Sequence, residues 1–259
     1  MKFDAIVLAG GEVAIDDPLF PESPEGHRSL IDIHGKPMLQ WVIDALSASD
    51  SVDEIFVIGL KSEYPLMTTK PLSFLPDEGD IFSNIRSGVC HSSNRHSNPS
   101  KCFISSADIP ALRSDMVDWL AGCVEENPIP HLYYSVIPQT LMEQQFPNAG
   151  RSYVRFKDGA VCGGDLNVID SDFFTNERTI WKALTQARKH PLRQAALLGF
   201  DSLILAAFHM ITLEKAVRKI CKRLSLEGTA LVSPYAEIGM DADKPQQLEI
   251  LRRSLERRR

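Results

Sequence analysis

Residues 3–9 (FDAIVLA) form an apolar run rich in strand formers, and Gly10-Gly11 stops it, which predicts a buried first strand followed by a turn that exposes backbone. Residues 12–27 set Pro18, Pro21 and Pro24 among Glu12, Asp16, Asp17, Glu22 and Glu25 with no periodicity, the signature of a long loop. Residues 30–33 read as a short strand and Gly35-Lys36-Pro37 as a turn, with Pro37 opening a helix that runs to about residue 47. Strands follow at 54–60 and 72–75, a helix at 80–90, a strand at 102–105 and a helix at 115–125. Strands alternating with helices at this spacing predict an α/β fold with three layers, a mostly parallel sheet with helices on both faces.

The second half is less regular. A strand is predicted at 132–137, and extended segments at 153–156 and 166–169 flank a glycine-containing stretch. Residues 175–224 turn helical, broken at Pro191 and Gly199, and read as a helical insert. A strand at 229–232 and a basic amphipathic helix at 244–259 close the chain. The length of 259 residues fits one large domain, here divided into a first half, 1–130, and a second half, 131–259, that carries the insert.

Composition narrows the function classes. A formal charge of -6 speaks against a nucleic-acid groove, which needs clustered Lys and Arg, while leaving room for a small anionic ligand. Cys90, Cys102, Cys123, Cys162 and Cys221 are scattered and include no CxxC pair, so neither a disulfide framework nor a zinc site is signalled. The first residues lead directly into a strand without a signal-peptide pattern, and the apolar run at 203–208 is too short for a bilayer. The expected setting is the cytoplasm, with no membrane partner, as a monomer or homodimer.

Ligands of open α/β sheets bind beyond the carboxyl ends of the strands, so the residues there are the first candidates for chemistry. Ala9, Gly10 and Gly11 present bare backbone suited to a phosphate, although the run matches neither the dinucleotide nor the P-loop glycine pattern. Asp108, in Ser106-Ala107-Asp108-Ile109-Pro110, stands where a one-sided magnesium ligand would stand, or caps a turn. Asp241 and Asp243 precede the last helix; Asp243 has the alternative role of capping it.

In order, LAGG, RSLIDIHGKPMLQWVIDAL, a GDIFSNIRSG helix, SADIP and IGMDADKPQQLEIL resemble the nucleotidyltransferase family related to molybdenum-cofactor guanylyltransferase and to the cytidylyltransferase of isoprenoid synthesis. The middle run YVRFKDGAVCGGDLNVI resembles a branch with a MobA-like NTP transferase domain. The resemblance implies a Rossmann-like sheet of the nucleotide-diphospho-sugar transferase type. It implies that Leu8, Ala9, Gly10, Gly11, Arg28, Asn84 and Gly88 bind the nucleotide, and that Arg28 with Asp108 serves catalysis. Asp108, Asp241 and, as second choice, Asp243 would hold Mg2+. A small-molecule acceptor would attack the α-phosphorus of a nucleoside triphosphate and release pyrophosphate. The residues of the middle region add candidates of their own: Arg151, Arg155 and Lys157 either bind an anionic acceptor or are solvated surface cations, and Asp165 either faces the acceptor or the metal or is a turn carboxylate.

Two departures stand against that pattern. Arg28 replaces the usual lysine, a planar fork in place of a point charge. The loop at 12–27 is long and acidic where the family carries a short basic one. Two other readings follow: a glycosyltransferase on the same fold, for which a metal-binding Asp-x-Asp is missing at SADIP, and an inactive nucleotide-binding regulator.

Overall fold

A computed structural model of the chain describes residues 1–23, 26–60, 64–94, 101–176 and 211–257. The first half runs β1 (Phe3–Leu8), β2 (Asp32–Ile33), β3 (Lys36–Pro37), α1 (Met38–Ala48), β4 (Val52–Ile58), β5 (Leu72–Leu75), α2 (Ile81–Ser93), β6 (Lys101–Ser106) and α3 (Ser114–Glu126). The second runs β7 (Leu132–Pro138), α4 (Gln139–Gln145), β8 (Val154–Phe156), β9 (Gly159–Gly163), β10 (Leu166–Asp170), α5 (Ser171–Asn176), α6 (Leu213–Leu224), β11 (Gly228–Val232) and α7 (Pro245–Glu256).

Among the described residues nine strands form one sheet in the order β5-β4-β1-β6-β10-β7-β9-β8, with β11 also paired to β7. β4, β5 and β6 run parallel to β1, and β11 runs parallel to β7. β10 lies antiparallel between β6 and β7, and β9 lies antiparallel to β7 and β8, so only these two strands oppose the common direction. The mostly parallel sheet expected from the strand-helix alternation is therefore present.

β1 is buried on both faces, and its side chains divide accordingly. Phe3, Ala5 and Val7 join Leu39, Val42 and Leu46 of α1 and Met116, Val117 and Leu120 of α3 in one core cluster. Ile6 faces the opposite layer with Phe56, Ile58, Val89 of α2 and Phe174 of α5. A third cluster joins Val13 and Leu19 of the long loop to Met142 of α4 and to Leu248, Leu251 and Leu255 of α7. Burying one apolar stripe per helix supplies the main favourable term for this arrangement.

Several local expectations are corrected. The strand expected at 30–33 shrinks to β2, because residues Arg28–Leu30 make a 3-10 turn in which the Ser29 hydroxyl donates to the Ala9 carbonyl at 3.1 Å. Positive φ at His34 and Gly35 closes the β2-β3 hairpin, so Pro37 lies in β3 and caps α1 instead of opening it. α4 and β9 were not expected: α4 has a single fully buried side chain, Met142, and β9 contains glycine at both ends. Of the helical insert expected at 175–224, residues 177–210 lie outside the described residues, while α6 occupies its end. Among the described residues no helix is long and apolar enough to cross a membrane.

Candidate functional site

The carboxyl ends of β1 and β6 open into a cleft of about 490 Å³. On one wall the chain leaves β1 through Leu8, Ala9, Gly10 and Gly11, all of which line the cleft. Ala9 N–H donates to the Ile58 carbonyl at 2.8 Å, and Gly59, at φ +92°, passes against Gly10 backbone to backbone. A side chain on Gly59 would overlap the Gly10 Cα, so the crossing depends on glycine at 59, while a Cβ on Gly10 would stand 3.2 Å from Asp77 Oδ2. Arg28 is fastened beside this turn: its N–H donates to the Gly11 carbonyl at 3.0 Å. Its guanidinium pairs with Asp243 and, at 3.3 Å, with Asp17 of the acidic loop. Glu22 of that loop pairs with Arg252 of α7 at 2.9 Å. Two of the carboxylates of the acidic loop, Asp17 and Glu22, are thus matched by arginines.

The opposite wall is acidic. Asp108 follows β6, accepts a hydrogen bond from the Ser106 hydroxyl, and has its carbonyl bonded by Ala242 N–H at 3.0 Å. Asp165 sits in the break between β9 and β10. Its N–H donates to the Ile238 carbonyl at 2.8 Å and its carbonyl accepts from Ser106 N–H at 2.9 Å. Three loops from distant parts of the sequence are therefore stitched together by backbone bonds, and they bring Asp108, Asp165 and Asp241 near one another.

Their ionisation reflects that crowding. Burial pushes the Asp108 carboxyl up to about 6; the Ser106 hydroxyl and Arg28 oppose the shift, while Asp241 and Asp243 add to it. Burial likewise pushes Asp165 up to about 8, with Asp241 and Asp108 adding to it and Arg151 opposing. Asp241 is raised by burial against the pull of Arg151, with which it pairs. Removal from water and like charge both disfavour the ionised carboxylates.

These acids suit a hard divalent cation, because Asp165 Oδ2 is buried with no hydrogen-bond donor and the neighbouring donors are carboxylate oxygens. Among the described residues no three His, Cys, Asp or Glu side chains already form a metal cage. Magnesium asks for less, since one or two carboxylates suffice when phosphate oxygens and water complete its shell.

The other residues singled out in the sequence fall in varied places. Asn84 lines the cleft, but its amide is taken up locally: Oδ1 accepts from Glu78 N–H at 2.7 Å and Nδ2 donates to Asp77 Oδ1 at 2.9 Å. Gly88 faces the sheet, where a Cβ would stand 2.7 Å from Ile6 Cγ2, so it sets helix-to-sheet distance and not a ligand contact. Arg155 is exposed on the outer strand β8 and does not line the cleft. Asp243 does not cap α7; Lys244 holds the cap position, and the Asp243 carboxylate is turned to Arg28. Sequence reasoning passed over Asp77, which lines the cleft next to Gly10, and Asp80, whose carboxylate caps α2 through Phe82 N–H at 3.0 Å and Ser83 N–H at 3.3 Å. An acidic residue just before a helix is the ordinary sign of such a cap. It also passed over Ile85 and Ile104, which join the expected Leu8 in an apolar patch of the same cleft.

Known proteins share this fold. A hypothetical transferase from Thermus thermophilus superposes with a TM-score of 0.82 at 28% identity, covering 96% of this chain and 100% of that one. CMP:2-keto-3-deoxy-manno-octonic acid synthetase complexed with CTP aligns over 100% of both chains at 12% identity with a TM-score of 0.61. The 2-C-methyl-D-erythritol 4-phosphate cytidylyltransferase from Thermus thermophilus aligns over 99% of this chain and 100% of its own at 12% identity with a TM-score of 0.53. At 12% identity the last two speak for the fold alone. None of the curated proteins matches the chain. The family model for the MobA-like NTP transferase domain matches residues 5–143, the segment that supplies the glycine turn, Arg28, α2 and Asp108. The chain belongs to the family of MobA-like NTP transferase domains and is a nucleotidyltransferase.

Proposed function

We propose that the chain transfers a nucleoside monophosphate from a nucleoside triphosphate to a small acceptor bearing an anionic oxygen, with Mg2+ as cofactor and pyrophosphate as the second product. The observation that carries this reading is the pairing of opposite walls in one cleft: a glycine turn with Arg28 on one side, Asp108 and Asp165 at the strand ends on the other.

The division of labour follows from charge. Backbone at Gly10 and Gly11 lies open to the cleft, where phosphate oxygens can approach without meeting a Cβ. Arg28 exchanges Asp17 and Asp243 for phosphate oxygens and holds the charge that develops on the leaving pyrophosphate. Leu8, Ile85 and Ile104 offer an apolar surface for the base. Asp108 and Asp241 would hold magnesium, which would supply positive charge to offset the negative charge of the triphosphate. The acceptor oxygen attacks the α-phosphorus in line as the bond to the bridging oxygen breaks, so no protein nucleophile is needed.

The test is thermal melting with each nucleoside triphosphate in turn, with and without Mg2+. At least one is expected to raise the melting temperature further when Mg2+ is present, and Asp108→Asn is expected to remove that Mg2+-dependent part. If no triphosphate shifts the melting temperature under either condition, the reading is wrong.

A further inference from the structure

Arg151, in the loop before β8, is a largely buried cation packed against the acids of that wall, and the reaction above leaves it without a task. Its Nη1 pairs with Asp241, its Nη2 donates to the Gly163 carbonyl at 3.4 Å and stands 3.8 Å from Asp165 Oδ2, and its side chain is only 13% exposed. Its Nε is buried with no hydrogen-bond partner. Arg113 shows what a fully engaged arginine looks like here: Nε and Nη2 bond Asp115 at 2.9 and 3.0 Å, and Nη1 bonds Glu237 at 2.7 Å. The Arg151 fork is therefore held by charge more than by matched geometry.

We propose that Arg151 is a resident counter-cation of this wall, which pairs with Asp241 until a divalent cation takes that carboxylate and then turns its freed guanidinium to an anionic group of the acceptor. The acceptor part rests on the nucleotidyltransferase reading; the cation part rests on the geometry alone. Asp241 cannot give the same oxygen to a guanidinium and a metal ion at full strength, and two cations on one carboxylate repel each other. A guanidinium displaced from Asp241 has a planar fork suited to phosphate or carboxylate. The acceptor is then an anion, and it binds after the cation.

Mn2+ is the probe, with its free concentration read by electron paramagnetic resonance in the absence of nucleotide. Arg151→Gln is expected to bind Mn2+ about tenfold more tightly than the natural protein, because a competing charge is gone. Arg151→Lys, which keeps the charge, is expected to stay near the natural affinity. An Arg151→Gln protein that binds Mn2+ equally or more weakly overturns the proposal, since Arg151 would then only orient Asp241.

A second measurement needs no variant. With a non-hydrolysable triphosphate analogue filling the cleft, calorimetric binding of inorganic phosphate to the natural protein is expected to tighten at least about tenfold when Mn2+ is added, as a freed guanidinium becomes available to the anion. Equal phosphate affinity with and without Mn2+ overturns the release of Arg151. Absence of any triphosphate stabilisation sinks the nucleotide reading and the acceptor part with it, while the Mn2+ titration still decides the counter-cation.

Discussion

Asp165 and Asp108 place a testable sign on the pH dependence of stability. Both carboxyls are raised in the folded protein, to about 8 and about 6, from an ordinary value near 4. The folded state thus holds their protons more tightly than the unfolded chain. Stability is gained as the pH falls through about 8 and then about 6, and lost as it rises through them. Without divalent cations the protein is expected to melt at a higher temperature at about pH 6 than at about pH 9, and Mg2+ at the higher pH is expected to recover part of the difference. Asp165→Asn is expected to stabilise the cation-free protein by about 1–2 kcal/mol more at about pH 9 than at about pH 6, the gain vanishing only near the ordinary carboxylate value, where the unfolded side chain is protonated too. Denaturant melts at the two pH values check this; an equal loss at both would mean that the side chain matters for packing and not for charge. Asp108 and Asp241 were legible in the sequence because each follows a strand or precedes a helix in a motif. Arg151 as partner of Asp241 was not, because that contact joins the loop before β8 to the loop before α7, a distant pairing that no local pattern encodes.

The elements were easier to read than the contacts between them, and α2 shows the difference. Its apolar positions announce a helix, but neither its cap at Asp80 nor the reason for Gly88 was read from them. In the fold, Gly88 lets α2 approach β1 and β4 so closely that a Cβ would stand 2.7 Å from Ile6 Cγ2 and 3.0 Å from Ile58 Cδ1. Gly88→Ala is expected to destabilise by about 1–3 kcal/mol through overpacking. Adding Ile6→Ala, which removes both Cγ2 and Cδ1 from the crowded place, is expected to cost less in the Gly88→Ala protein than in the natural one. Urea melts of the single and double variants decide; additive losses would place the clash elsewhere. The elements missed, α4 and β9, lack the periodicity on which sequence reading relies: one is short with one fully buried residue, the other is held by β7 and β8 on its two edges.

On the scale of the whole molecule, the first half does not complete the sheet it begins. β6 finds its second neighbour in β10, paired from Leu166↔Ser105 to Asp170↔Lys101, and β10 in turn joins β7. A chain ending at residue 143, where the family match ends, keeps the glycine turn and Asp108 but leaves β6 and β7 apart and lacks Asp165 and Asp241. That fragment is expected to lack cooperative unfolding and Mg2+-dependent nucleotide binding, with dispersed NMR signals returning only when residues 144–259 are supplied. A folded, nucleotide-binding fragment would show that β10 is dispensable. The position of β10 also bears on how such proteins diversify. A gene crossover between the codons for β6 and β10 would unite strands that never shared a history, across a register that runs through the centre of the sheet. Under the acceptor role proposed for Arg151, new acceptors are therefore easier to reach by single substitutions there and at its neighbours, or by growth of peripheral segments, than by borrowing the rear of a relative wholesale.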